Sequence, residues 1–520
     1  MRMGRAIWLS AATMTSRVLG LARDQLFAAL VGANRWSDAF VVAFRIPNLL
    51  RDLFAEGALS SAFVPTFAEA HARRGQEEAY RLANALVGVV LVVVGGIVLA
   101  GLAAAPAIVR LLAPGFGPEE VEFAAFLTRI MMPFLLLVSL SAVAMGMLNA
   151  QSRFTAPALA PALFNVGAIA VGAWLWATGK GPRAAAVGWS VGTLVGGSMQ
   201  LLAQWPSLHA LGFRLRPLAG RGALADPGIR RIGRIMAAAV VGLSATQVNI
   251  LVNTVFASHE VGANTWLQMA FRLMQLPLGV FGVAIATVAG AGVAQRVARG
   301  DMAGVRETLG SAMRLVAFLN VPAAVGLVVL AHPIISLVYE HGRFSAADSA
   351  ATADALVFYA VGLYGYSAVK VLAPAFYALD EARVPVLGSI VGMASNVALV
   401  LLLHPLLGFR GIALGTALAA TANFAVLAVA WRVRHGGLGD AGIGAQLVRT
   451  LAASAVMVAV VLLAQAGVRP LLPAGGLARQ APAALVPIVA GAVAYFAAAR
   501  VLGVRELSEV ASALRRRGRG

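Results

Sequence analysis

Residues 6–31 read AIWLSAATMTSRVLGLARDQLFAALV. As a helix rising about 1.5 Å per residue, this stretch spans the roughly 30 Å of hydrocarbon in a bilayer. Yet it carries Arg17, Arg23 and Asp24. The next apolar stretch, centred near Leu50, carries Asp38, Arg45, Arg51, Asp52 and Glu56. A charge at the middle of a bilayer helix costs about 2.5–3.5 kcal/mol on insertion scales. Hydrophobic anchoring needs none of these residues. Keeping them predicts that they act on something that crosses the membrane.

The rest of the chain sets the class. Of 520 residues, 60% are hydrophobic and 12% charged, about half the charged fraction of a soluble domain. Mean hydropathy is +0.83. Apolar runs recur throughout, and the 55 glycines suit helices that pack closely in lipid. The net charge of +19 fits basic cytoplasmic loops better than a nucleic-acid surface. There is no cysteine, hence no disulfide framework or thiolate metal site. Met1–Trp8 lacks the pattern of a cleaved leader, so the first span is expected to stay.

The pattern predicts an all-α integral membrane protein of about 14 transmembrane helices, centred near Arg17, Leu50, Val92, Leu137, Ile169, Val195, Gln247, Val280, Val321, Gly365, Val391, Ala420, Val456 and Val489. Arginines orient it. Arg73, Arg74, Arg81, Arg214–Arg234, Arg296–Arg314, Arg432–Arg449 and the tail fall on one side, which the positive-inside rule makes cytoplasmic, with both termini. An internal repeat supports two six-helix lobes in parallel. Val187-Gly188-Trp189-Ser190-Val191-Gly192-Thr193 resembles Arg410-Gly411-Ile412-Ala413-Leu414-Gly415-Thr416, and Phe154-Thr155-Ala156-Pro157 resembles Ala382-Arg383-Val384-Pro385. The expected organisation is an N-terminal lobe over 1–220, a C-terminal lobe over 221–440, and two extra C-terminal helices with a basic tail over 441–520.

Arg17, Gly20 and Asp24 share one helical face, with Arg23 about 100° round from Asp24. Asp38, Arg45, Asp52 and Glu56 share a stripe across Pro47, with Arg51 pointing elsewhere. Arg272 and Lys370 sit in the eighth and tenth spans. One reading is internal ion pairing, Arg17 with Asp24 and Arg45 with Asp38 or Asp52. The other is a ligand. Arginines outnumber the acids near them at Arg17, Arg23, Arg51 and Arg272, and guanidinium forms paired hydrogen bonds to phosphate. The ligand implied is a polyanion, most simply a phosphate or pyrophosphate. The histidines show no metal-binding spacing, Gly279–Val283 reads as packing, and no nucleophile–base pair stands out, so neither a metal site nor an enzyme is expected.

Ser16-Arg17-Val18-Leu19-Gly20-Leu21-Ala22-Arg23-Asp24 resembles the first-span motif of the MurJ/MviN lipid II flippase family. Asp38-Ala39-Phe40, Pro47-Asn48-Leu49-Leu50-Arg51 and Phe54-Ala55-Glu56-Gly57-Ala58 continue the resemblance. So do Arg272-Leu273-Met274-Gln275-Leu276-Pro277-Leu278-Gly279-Val280 and Val369-Lys370-Val371-Leu372-Ala373-Pro374-Ala375-Phe376-Tyr377. It runs to about residue 435; the last two spans match in hydropathy and position alone.

The resemblance implies a member of the MOP exporter superfamily in the bacterial inner membrane. Its substrate would be lipid II, undecaprenyl pyrophosphate bearing a sugar-pentapeptide, moved outward by alternating access for peptidoglycan synthesis. The family's central arginines map onto Arg17, Arg23, Arg51 and Arg272, with Asp38 as acidic partner; Asp24, Glu56 and Lys370 are the supporting charges. Gln275 stands where some members have an acid. The seventh span offers only Gln247, Asn249 and Asn253, so the sodium site of some members is not carried over. No cofactor is called for; membrane potential or a small ion stays open as energy source, and cell-wall synthesis proteins as partners. Two alternatives remain: export of another polyprenyl-linked saccharide or a drug, and a non-transporting scaffold for cell-wall enzymes.

Overall fold

A computed structural model describes residues 3–52, 59–218, 220–438, 442–473 and 475–507. The described residues are helical, with no strand among them. By internal contacts the chain forms two compact units, Met1–Thr265 with His341–Ser345, and Trp266–Glu340 with Ala346–Gly520.

The first unit opens with α1 (Met3–Val31), α2 (Arg35–Arg51), α3 (Leu59–Arg74) and α4 (Gln76–Leu112). It continues with α5 (Pro118–Met131), α6 (Pro133–Ala150), α7 (Thr155–Ala177), α8 (Pro182–Leu202), the short α9 (Trp205–Ala210) and α10 (Arg221–Ala225), and α11 (Pro227–Ala257). Local chemistry sets many of these ends. Asn34 caps α2 by accepting from the Trp36 and Ser37 amides, while Ser37 Oγ accepts from the Asn34 amide, a reciprocal box. Glu77 and Glu78 open α4 and Arg110 closes it, both favourable to the helix dipole. Asp226 caps α11, accepting from Gly228 N at 2.7 Å. The core is aromatic and aliphatic: Phe63, Phe67, Leu82, Leu86, Phe134 and Leu135 from α3, α4 and α6. Ile229 and Ile232 bring α11 into the same core, and Arg231 ties it to Glu69 at 2.6 Å. Helices α7 and α8 nearly touch at Gly167 and Gly196. A Cβ on Gly167 would lie 2.9 Å from Gly196 Cα, so the contact requires small residues.

One piece of the first unit comes from far along the chain. At residues 341–345, Arg343 donates its amide to Ala29 O at 2.9 Å. Its Nη1 donates to Leu30 O at 2.6 Å and Lys180 O at 2.8 Å. The bonds to Ala29 and Leu30 satisfy carbonyls at the end of α1, which have no partner within the helix, and the bond to Lys180 ties in the turn between α7 and α8. Gly342 takes φ 59°, and a Cβ there would meet Ala29 O.

The second unit contains α12 (Ala263–Pro277) from Trp266 onward, α13 (Val283–Ala298), α14 (Met302–Val329), α15 (Ala331–Tyr339), α16 (Ala346–Ala360), α17 (Leu363–Ala378), α18 (Arg383–Leu407), α19 (Phe409–His435), α20 (Ile443–Val468) and α21 (Leu477–Val501). A π-helical turn, Leu278–Gly282, joins α12 to α13. Gly282 packs there against Ser367 of α17, the packing role expected for this glycine-rich stretch. Ile285, Leu309, Phe376, Leu427 and Trp431 form one core. A second core, with Phe318, Met457 and Tyr495, docks the α20–α21 pair on α14, and Tyr495 Oη donates to Phe318 O at 2.6 Å.

Among the described residues, nine helices are long and apolar enough to cross a membrane, or up to ten if the bent pair α16–α17 is one span. Each of the fourteen centres named from hydropathy falls in one of the helices above or in the turn between α12 and α13. Helix α1 has 29 residues and is long enough to span, but its charges and hydroxyls keep it from registering as apolar.

The repeat is visible in backbone detail. Phe154 and Ala382 are the N-cap residues of α7 and α18. Two residues before each stands a non-glycine residue with positive φ, Ser152 and Asp380, both at 59°. Each closes the preceding helix alike: Arg153 N bonds Leu148 O, and Glu381 N bonds Phe376 O, both at 2.8 Å. The starts of the two copies match as well. Val31-Gly32-Ala33-Asn34-Arg35-Trp36 parallels Val261-Gly262-Ala263-Asn264-Thr265-Trp266, with Gly32 at φ 76° and Gly262 at φ 91°.

Candidate functional site

The candidate residues of the first unit sit on α1, α2 and the turn before α12. Arg23 does not project alone. Its Nη2 and Nε donate to Asp24 Oδ1 at 2.8 and 3.1 Å, and its guanidinium lies 5.4 Å from the Phe164 ring centroid on α7. The pairing of Arg17 with Asp24, one of the two sequence readings, is therefore replaced by a neighbour pair. A long arginine stem bends round the 100° between consecutive positions. Arg17 is exposed and faces no described carboxylate within ion-pair distance. Asn165 of α7 donates to Ser16 O at 3.0 Å. The space beside Gly20 admits it: a Cβ there would lie 3.7 Å from Asn165 Nδ2.

Arg51, expected to point away from its neighbours, repeats the Arg23 arrangement. Its Nη2 and Nε donate to Asp52 Oδ1 at 3.1 and 3.3 Å. Asp52, which the ion-pair reading offered with Asp38 as a partner for Arg45, is engaged by Arg51. Arg45 is half-buried on α2. Glu56, with the Phe54–Ala58 motif, lies outside the described residues.

Asp38 has a role that its position in α2 does not advertise. It is 1% exposed. Its carboxylate accepts from Gly262 N at 2.5 Å, Thr265 N at 3.0 Å and Thr265 Oγ1 at 2.7 Å. Ser37 and Thr265 hydroxyls meet at 3.0 Å. A buried carboxylate is thereby satisfied by donors of the turn at the start of the second repeat copy. Gly262 and Thr265 were missed from sequence; the duplicated Val-Gly-Ala-Asn-x-Trp string is the signal that marks them.

In the second unit, Arg272 is exposed on α12, and Gln275 is exposed one turn on. Phe271, beside Arg272, packs edge-on against Tyr359 at 5.2 Å. Lys370 is exposed on α17. No cluster of three or more metal-ligating side chains occurs among the described residues.

Helices of this length, with arginine–aspartate pairs inside the bundle and a parallel repeat, define a multi-span membrane transporter. The fold matches a multidrug-resistance MATE family transporter of the MOP superfamily in an inward-facing conformation (TM-score 0.69, 17% identity, 83% of this chain and 98% of that one). It matches a solved lipid II flippase MurJ in an inward closed conformation more closely (TM-score 0.79, 24% identity, 95% and 98%). The family model described as lipid II flippase MurJ matches residues 27–474. A probable lipid II flippase MurJ of Rhizobium meliloti (strain 1021) is 34% identical over 511 residues, 97% of this chain and 95% of that one. A lipid II flippase MurJ of Burkholderia cenocepacia is 36% identical over 436 residues, 82% and 83% of the two chains. The chain belongs to the lipid II flippase MurJ family.

Proposed function

We propose that this protein moves lipid II from the inner to the outer leaflet of the bacterial cytoplasmic membrane by alternating access. The observation that carries the reading, within this family, is the pre-orientation of guanidinium groups on α1 and α2. Arg23 and Arg51 are each aimed by the aspartate that follows. Arg17 stands exposed nearby in sequence on the face of Gly20. In the first unit these three arginines take pyrophosphate oxygens; in the second unit Arg272 does so at the step at which it meets the headgroup. Lys370 adds a point charge, and Asp38 holds backbone rather than substrate.

Guanidinium suits the task because it stays charged at every relevant pH and its paired donors match phosphate oxygens. Moving one elementary charge through 100 mV is worth about 2.3 kcal/mol, so the membrane potential is enough to bias the return of an emptied, positively charged site. Both termini and the loop around residue 220 face the cytoplasm in this reading, in accord with their basic residues. In a chain without cysteine, a single cysteine at 220 reports this directly, and labelling from outside overturns it.

The decisive test is complementation of a flippase-depleted strain together with a leaflet assay for lipid II. Arg17→Ala and Arg272→Ala are each expected to abolish flipping at normal protein abundance. Lysine at either position restores only part of it. Normal growth and flipping with both alanine variants refutes the pyrophosphate reading and leaves these arginines structural.

A further inference from the structure

An arginine-lined cavity lies in the second unit, and no residue of α12 lines it. An open cavity of about 620 Å³ lies where the first turns of α14, the first turns of α20 and the segment after α21 meet. Arg306, Arg314, Arg449 and Arg505 line it, with Glu307 and Glu506. Among the described lining residues, four arginines stand against two glutamates.

The acids are not what the cavity presents. Glu506 is 1% exposed; Arg314 Nε donates to its Oε1 at 2.8 Å, and Gln446 donates to its other oxygen. Glu307 turns to Arg296 at 3.3 Å. Arg449 is set in place by a bond to Gly503 O at 3.1 Å. Arg306, Arg449 and Arg505 are exposed at the rim. The buried Glu506 pair thus fixes the floor, while the rim stays cationic.

The surroundings decide what kind of anion fits. On α20 the apolar Leu447, Val448 and Leu451 are exposed beside Arg449, and Val501 and Leu502 are exposed beside Arg505. A soluble anion gains nothing from such neighbours, whereas a lipid lays its acyl chains along them. We propose that this cavity binds the phosphate headgroup of an anionic membrane phospholipid, with its chains along the exposed faces of α20 and α21. The site is separate from the arginines of α1, α2 and α12 and does not depend on which lipid the protein transports.

The test uses the purified full-length protein in nanodiscs with equal amounts of phosphatidylglycerol and phosphatidylcholine, retained lipid being counted by native mass spectrometry after transfer to detergent. Wild type is expected to retain phosphatidylglycerol selectively. Arg306→Gln with Arg449→Gln should weaken retention about thirtyfold, from roughly one increment per basic residue near an anionic surface. Arg306→Lys with Arg449→Lys keeps the charge and should retain most of the lipid. It also guards against misfolding, as does an unchanged unfolding midpoint in the glutamine pair. Arg73→Gln with Arg74→Gln, at exposed positions of the other unit, should leave retention unchanged. Equal retention of both lipids, wild-type retention by the folded glutamine pair, or an equal loss in the Arg73/Arg74 pair overturns the proposal. So does displacement of the lipid by millimolar inorganic phosphate, which would make the ligand a soluble anion.

Discussion

Replacing Asp38 by alanine tests whether this residue caps a turn or serves as an ion-pair partner. Its carboxylate accepts three bonds, from Gly262 N, Thr265 N and Thr265 Oγ1, at 2.5, 3.0 and 2.7 Å. Hydrogen bonds to a charged acceptor contribute about 1.5–3 kcal/mol each. Bonds sharing one acceptor are not additive, and water entering the space left by the carboxylate recovers part of the loss. A net loss of about 3–4 kcal/mol is expected. Asp38→Asn keeps one acceptor and sets an amide against the other donors, so about 2 kcal/mol is lost. Thr265→Val removes the hydroxyl's bonds to Asp38 and Ser37 but leaves both amide bonds, and costs about 1.5–3 kcal/mol. In a double-mutant cycle Asp38 and Thr265 should couple by about 1–2 kcal/mol. The assay is denaturant unfolding in mixed micelles, with thermal midpoints as a second reading, and Arg17→Ala as the variant that leaves both unchanged. A wild-type midpoint for Asp38→Ala, or strictly additive effects with Thr265→Val, refutes the capping role and returns Asp38 to an ion-pair role.

Three further outcomes follow from the packing and the charges. Gly196→Val should force α7 from α8, because Gly167 and Gly196 leave no room for a side chain. The overpacking cost is about 1–3 kcal/mol, read as a lower thermal midpoint and lower abundance, and an unchanged midpoint rejects the close contact. Arg23→Lys should weaken transport by replacing the two bonds to Asp24 with at most one, while Gln275→Ala is much milder; equal activity of Arg23→Lys and wild type in the leaflet assay counts against pre-orientation. Glu69, half-buried near the end of α3, has its pKa lowered from 4.5, first by its hydrogen bond from Arg231 and then by the nearby charges of Arg73 and Arg231. A carboxylate lowered in the folded state stabilises above its unfolded pKa, and that contribution fades as pH falls through the lowered value. The thermal midpoint of Arg231→Gln should therefore fall less steeply below pH 4.5 than that of wild type; parallel acid profiles exclude the pair.

The helices could be read from sequence because their cause is local. Apolar runs of bilayer length fold as helices whatever they pack against, and even the repeat surfaced in short strings such as those at Phe154 and Ala382. The charged positions were legible as positions. Their partners were not, for two reasons. Helical phase separates Arg23 from Asp24 and Arg51 from Asp52, but arginine has enough rotatable bonds to override phase. Asp38 finds Gly262 and Thr265 across more than two hundred residues, a distance over which no periodicity speaks. The near-identity of the strings at Val31 and Val261 marks the second turn as a copy of the first.

The loop at residues 341–345 has a consequence for biosynthesis. The first unit is complete only when Arg343 reaches the carbonyls of Ala29 and Leu30. By then the ribosome has passed Thr265 and made nearly all of α12 to α15. At about 5–20 residues per second, the end of α1 waits about 15–60 s in the translocon's vicinity for its partner. A chain split at Thr265 would deliver a first half that lacks part of its own structure. Co-expressed fragments divided after Ser345 would carry that piece with the half that needs it.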